Sequence, residues 1–412
     1  MKTGIFRAKI KKSALKPNLL RGPHLPSFNQ QYVWASMEAL SISQDKKSIQ
    51  WRQLWSLAAL YGSIVIGWIA YQNYQPKLLE KFHFTDFSFP LMVFQGIILV
   101  VTPPFAGRLG DRYRFKQGHR IPIITTGISF AAMVFMAVAF TLFSNPGEIF
   151  KWILPILIVF WLIAMSIFTS PALSTIELFT PVDKLPRAMA ILTIVANLIY
   201  AIEPVIVDII DYIGAPLTFI TGGTVVFISG YALKKNSLTL IKLNDNKESD
   251  RPLAAITLDT QKSRFVYILF LGLALGLPTT IMFNIFPDVL SEKLGDVLSG
   301  MSGKLMLVYI LVVSALMSLP MSSVVNKLGV QRSFWGSFVL IMVCAMSIFF
   351  VQSTVALLCS CFAFAVMFTS LSVSSLPLAM SLSNYYDKVL CVGIFFSGAA
   401  VPNGILEAVQ AF

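Results

Sequence analysis

The chain has 412 residues, of which 56% are hydrophobic and only 13% charged, against about a quarter charged in an ordinary soluble domain. No soluble core absorbs that much apolar sequence, so the composition excludes a soluble globular protein and points to an integral membrane one. The formal charge of +12 follows loop topology, as set out below, which removes nucleic acid as its explanation.

In chain order, residues 1–50 come first. Up to Met37 they carry seven Lys/Arg and no acid. They read as a disordered, basic cytosolic tail that touches anionic lipid, or else as an organellar transit peptide. Apolar runs follow at about 53–73, 88–106, 121–143, 152–176, 188–210 and 215–233, each near the roughly 20 residues needed to cross a hydrocarbon core. The segment from Lys234 to Arg264 is rich in Asn, Asp, Lys and Ser and reads as a linker. Five more runs lie at about 265–286, 301–323, 333–351, 354–380 and 389–411. The predicted fold class is an all-α integral membrane protein with an N-terminal six-helix bundle over 51–233, a cytosolic linker over 234–264, a C-terminal five-helix bundle over 265–412, and the twelfth helix absent.

With the N-terminus in the cytosol, Lys77, Lys81, Lys151, Lys293 and Lys304 fall on the outer side and the remaining 27 of the 32 Lys/Arg on the inner side. That asymmetry is the positive-inside pattern. It places the chain in a membrane, the cell (inner) membrane being expected, with its N-terminus cytosolic. The four cysteines, Cys344, Cys359, Cys361 and Cys391, all sit in apolar runs without metal-ligand spacing and read as packing residues. No metal and no cofactor is expected.

The two halves repeat weakly but in order. "QPKLLEKF" (75–82) corresponds to "FPDVLSEKL" (286–294), and "GRLGDR" (107–112) to "SSVVNKLG" (322–329). "DKLPRAMAILTIVANLIYAIEPV" (183–205) faces "DKVLCVGIFFSGAAVPNGILEAV" (387–409). In that register Asp183-Lys184 aligns with Asp387-Lys388, and Glu203 with Glu407. Internal repeats of this kind are common in transporters.

The loop "GRLGDRYRFKQGHRIP" (107–122) resembles the signature between helices two and three of the major facilitator superfamily, with Gly107, Asp111 and Arg112 in its G-x-x-x-D-R positions. Five residues, "YRFKQ", separate Arg112 from Gly118, Arg120 and Pro122, a spacing similar to the sucrose-type and glycoside-pentoside-hexuronide cation symporters. The resemblance implies two helical bundles rocking about a central site, a small-molecule substrate, ion coupling and a monomer in the bilayer. The second helix here has no acid and "SPALSTIELF" has Leu173 and Ser174 where sucrose-type members tend to have an arginine. Those departures point away from sodium coupling and from sucrose itself.

Asp111 and Arg112, at a cytosolic helix end, either latch one conformation by charge-assisted bonds, with Glu177 as partner, or only anchor topology. With Gly107, Gly118 and Arg120 they form the expected gating loop. Glu203 lies past the middle of a span, where an ionisable group is a functional candidate by default, and Thr193, Asn197, Tyr200 and Glu203 share one helical face. Glu203 is either a proton-exchanging carboxylate or a structural acid near the outer boundary. Glu407, with Asn403 four residues earlier, is its repeat counterpart. At the end of helix one, Trp68, Tyr71, Gln72, Asn73 and Tyr74 either line a polar-solute site or belong to an interfacial aromatic belt.

The leading expectation is a secondary active transporter of a small polar solute, a sugar or glycoside, coupled to protons and taking part in no nucleic-acid binding or enzymatic reaction. An exporter of amphiphilic compounds, or a non-transporting sensor or assembly factor on a transporter scaffold, are the alternatives.

Overall fold

The computed structural model describes residues 48–81, 88–117, 120–143, 153–249, 263–295 and 303–410. The basic tail up to residue 47 and Gly118 of the expected gating loop lie outside the described residues.

Among the described residues the chain is helical, with no strand. A chain rich in Leu, Ile, Val, Ala and Phe that must leave no backbone N–H or C=O unpaired in lipid has few alternatives to helix. The helices are α1 (Trp51–Lys81), α2 (Ser88–Gln117), α3 (Ile121–Phe143), α4 (Ile153–Ser174), α5 (Leu185–Ala201), α6 (Glu203–Ile213) and α7 (Ala215–Ser249). After them come α8 (Phe265–Thr280), α9 (Phe286–Gly295), α10 (Gly303–Leu328), α11 (Val330–Phe350), α12 (Thr354–Ser381) and α13 (Lys388–Gln410). Among the described residues ten helical segments are long and apolar enough to cross a membrane, or eleven if the bent pair formed by α5 and α6 is one span.

Two of these elements differ from their expected form. The apolar run 188–210 is not one straight helix: it bends by 58° between α5 and α6, at Ile202, whose φ of −94° and ψ of 10° fall outside the helical well. Pro204 is the cause, because it has no N–H to donate to the carbonyl of Tyr200, which accepts instead from the N–H of Ile202. The other difference concerns the linker expected from Lys234. Helix α7 continues to Ser249, and over its first part it is tied to α1, since Asn236 donates through Nδ2 to Ser56 Oγ at 2.7 Å and Gln53 donates to the Asn236 carbonyl at 3.3 Å. A helix of 35 residues is about 52 Å long at 1.5 Å per residue, so α7 outruns the bilayer that its first two-thirds can span.

Within the span joining α8 to α9, residues Ile281–Ile285 form a π turn. Pro278 sits just before it in α8 and withholds a donor from the helical ladder. Such turns widen a helix locally and re-aim its side chains.

Helices up to α7 are joined to those from α8 onward mainly through α2 against α13 and α5 against α10. The first of these contacts is made of backbone. Pro103 and Pro104 lie inside α2, and the carbonyl of Val100, which Pro104 cannot serve, accepts a hydrogen bond from Ser397 Oγ of α13. Gly393 of α13 is where the two chains come closest: a Cβ placed there would lie 2.2 Å from the Pro103 carbonyl oxygen, and one on Gly107 of α2 would lie 2.5 Å from the Val389 carbonyl oxygen. Only glycine allows that approach. Farther along, a Cβ on Gly96 would sit 3.7 Å from Gly404 Cα, an ordinary contact. The two helices therefore stay in contact from Gly107 to Gly96, most tightly at the end that holds Gly107.

Candidate functional site

The tight seam of α2 and α13 near Gly107 marks a closed end of the molecule, opposite the end whose residues Pro76, Asp208, Lys304 and Glu407 line a cavity. At the closed end the sequence gathers charge. Asp111 of α2 accepts hydrogen bonds from the backbone N–H groups of Val389, at 3.2 Å, and Leu390, at 2.9 Å. These are among the first N–H groups of α13, which have no partner inside their own helix and carry the positive end of its dipole. Arg114, one turn beyond Asp111, is buried, with Nη1 4.0 Å from Asp111 Oδ1. Arg120, also buried, donates to Ser174 Oγ at 3.0 Å and lies 3.7 Å from Glu177 Oε1. Lys388, the first residue of α13, donates to Glu177 Oε2 at 2.8 Å.

The latch thus differs in detail from its expected wiring. Asp111 and Glu177 both reach α13, one through backbone and one through Lys388. Arg112, expected beside Asp111, is exposed, and Arg114 takes the inward position. The reason is helical: α2 runs unbroken to Gln117, so residues three apart share a face while adjacent ones point about 100° away from each other. Lys388 was visible only as the repeat partner of Lys184, with nothing to show that it meets Glu177.

From the middle of the bundle to the open end runs a cavity of about 930 Å³. Its walls come from α1, α2, α4, α5, α6, α8, the π turn, α9, α10, α12 and α13, so both halves of the chain contribute. Of the expected solute and proton residues, Gln72, Asn197, Tyr200, Glu203, Asn403 and Glu407 all line it. Asn73 does not: its Nδ2 donates to Asp211 Oδ1 at 3.1 Å, beside the ion pair of Lys77 with the same carboxylate at 2.9 Å.

Each lining group is held by a local device. Asn197 donates to Ser314 Oγ at 2.8 Å, and Ser314 is hydrogen-bonded to Thr369 Oγ1 at 2.7 Å, so this amide fastens α5 to α10 and α12. Glu203 is the first residue of α6, directly after the bend, where the helix N-terminus favours a carboxylate. The cation whose charge reaches it is Lys304 of α10. Across the cavity, Asn284 in the π turn donates to Asn403 Oδ1 at 3.0 Å, and Asn403 donates to Glu407 Oε1 at 2.6 Å. Two aromatic rings of α1, Trp68 and Tyr71, line the wall, backed by Trp161 of α4: Tyr71 stacks on Trp161 with centroids 4.5 Å apart, and Trp68 meets both edge-on. Tyr200 packs against Phe283 at 4.9 Å.

Among the polar lining residues that the sequence reading did not place in a site are Gln95, Lys304 and Asn284. Gln95 is the one amide in an apolar stretch of α2, and it is buried with no partner for Nε2; its isolation was the available signal. Among the described residues no cluster of His, Cys, Asp and Glu could hold a metal.

A family model, the Major Facilitator Superfamily, matches residues 57–402. No curated protein matches the chain in sequence. Among solved structures it is similar to the human organic anion transporter MFSD10 (TETRAN), with a TM-score of 0.61 at 13% identity over 88% of this chain and 93% of that one. It is similar also to the proton:xylose symporter XylE bound to 6-bromo-6-deoxy-D-glucose, with a TM-score of 0.60 at 11% identity over 88% of this chain and 89% of that one. Identities that low speak to fold alone. The family match covers the helices that build both the cavity and its closed end, and the chain belongs to the Major Facilitator Superfamily.

Proposed function

We propose that the protein is a secondary active transporter of the sugar-cation symporter type, moving a small polar solute by alternating access with protons as the coupling ion. The observation that carries this reading is the one-ended cavity. A volume of about 930 Å³ suits a small-molecule site. Its blind end lies near mid-bundle, and the backbone seam of α2 and α13 closes the path beyond. The positive-inside pattern supports a cytosolic N-terminus, which makes the closed end cytosolic and the cavity outward-facing. The protein acts as a monomer in the cell membrane.

Glu203 is the proton carrier in this reading. It stands at the bend of the fifth span with Lys304 as its neighbouring charge, and an ionisable group at such depth is rare without a function. Trp68, Tyr71 and Tyr200 offer ring faces for a sugar or glycoside, and Gln72, Gln95 and Asn403 offer amides for its hydroxyls.

The test is uptake into proteoliposomes under an imposed inward proton gradient, across a panel of sugars and glycosides, with wild type and Glu203→Gln. Wild type should accumulate solute, and the variant should retain exchange of solute across the membrane while losing gradient-driven accumulation. Accumulation that survives Glu203→Gln would show that the proton enters elsewhere. A complete absence of flux would favour a sensor on a transporter scaffold.

A further inference from the structure

Resting on the transport reading, the charges in the cavity wall say more about the cargo. The charged residues that line it are Glu203, Asp208, Glu407 and Lys304, three acids and one base. Lys304 acts on Glu203. Glu407 is different: its polar partner is the neutral amide of Asn403, and among the described residues no cation acts on it. A half-buried carboxylate without a countercharge is costly inside a membrane protein. Glu407 lines the same cavity as Trp68 and Tyr71, where Tyr71 stacks on Trp161 and meets Trp68 edge-on. Ring faces attract cations through their quadrupole, most strongly where water is excluded.

A lone carboxylate set against an aromatic wall is the chemistry that recognises an organic ammonium group. We propose that the cargo is a small polar solute bearing a positive charge, an amine or quaternary ammonium, whose cation is held between Glu407 and the Trp68–Tyr71 corner. Asn403 and Asn284 are positioning residues: their hydrogen-bond chain from the π turn orients the Glu407 carboxylate. Lys304, on the far wall, disfavours a second cation there and leaves Glu203 to the proton.

The experiment measures ligand-induced thermal stabilisation of the purified full-length protein at pH 7.5, where binding raises the unfolding temperature by mass action. The probes are charge-matched pairs: choline against 3,3-dimethyl-1-butanol, phenethylamine against 2-phenylethanol, and glucosamine against glucose, with 3-phenylpropionate as the anion. At least one ammonium compound should reach half-maximal shift at a concentration five-fold or more below its neutral isostere, and the anion should give the smallest shift. Glu407→Gln should bring cation and isostere together while leaving the unliganded unfolding temperature near that of wild type. Lys304→Gln, which removes the cavity's cation, should widen the preference. Equal shifts within every pair, or a cation preference that persists in Glu407→Gln, overturns the proposal. Binding is read here without a gradient, so the two readings fail separately. Cation-selective binding without gradient-driven uptake would sink the transport reading alone, and uptake of neutral sugars that ammonium compounds do not compete would sink this one alone.

Discussion

Lys388 Nζ lies 2.8 Å from Glu177 Oε2 across 211 residues of sequence, and this bond joins the first residue of α13 to the turn that follows α4. Arg120 leans on the same carboxylate from a fully buried position, its Nη1 3.7 Å from Oε1. Removing the carboxylate therefore takes one countercharge from a buried guanidinium and the bonded partner from Lys388. Glu177→Gln should destabilise the closed end by on the order of 3 kcal/mol, the usual cost of removing one partner of a buried pair. Paired cysteines placed on the exposed faces of α2 and α13 near that end would read it, as a loss of cross-linking in the variant. Unchanged cross-linking would mean that the backbone seam closes the molecule unaided.

Asp111 works on α13 by another route, accepting from the Val389 and Leu390 N–H groups. Asp111→Asn keeps an acceptor and loses the charge, and should lower stability by about 1 kcal/mol. Asp111→Ala leaves the two N–H groups unserved and should cost roughly 2 kcal/mol. Thermal unfolding of the two variants gives the order directly, and an Asn variant worse than the Ala variant would contradict the capping role.

Gly393→Ala should prevent seating of α13 on α2, because the added methyl would fall 2.2 Å from the Pro103 carbonyl oxygen. Backbone on both sides leaves no flexible side chain to yield, so the cost should reach about 1–3 kcal/mol or more. Spin labels on the closed ends of α2 and α13 should report a longer separation than in wild type. A wild-type distance distribution would show that the helices have slack.

Asn197 is bonded to Ser314 at 2.8 Å and so contributes to the join of α5 with α10 as well as to the cavity wall. A double-mutant cycle with Asn197→Ala and Ser314→Ala should give a coupling of about 0.6 kcal/mol, the average for polar pairs within membranes. A coupling near zero would release Asn197 from this structural duty and free it for solute.

The spans were legible in the sequence because lipid imposes one rule, an apolar run of fixed length, and that rule is local. The acids were legible for a similar reason, since Asp111, Glu177, Glu203 and Glu407 stand out against apolar surroundings wherever they fall. Their partners were not. Lys388 meets Glu177, and Asp111 meets the start of α13, only because two distant helices are pressed together, and no periodicity along either helix encodes that. Arg112 fits the sequence signature, but α2 continues as helix to Gln117 and turns Arg114, not Arg112, inward beside Asp111. The bend at Ile202 had its cause in plain view at Pro204, but an apolar run reads the same whether straight or bent. Gln95 is signalled in the sequence only by its isolation in an apolar stretch, and Lys304 reads there only as an outer-side lysine, with nothing to place it beside Glu203.

Ser397 serves the carbonyl that Pro104 strands, and that repair has a mechanical consequence. It makes a hydrogen bond at one helix depend on the presence of another, since the Val100 carbonyl of α2 has this donor only while α13 is seated against it. A seam built of main chain and completed by a borrowed donor has no soft layer to compress and no partial spacing at which its bonds survive. Parting the two helices would therefore cost the borrowed donor together with the packing, as a snap fastener gives up its hold all at once.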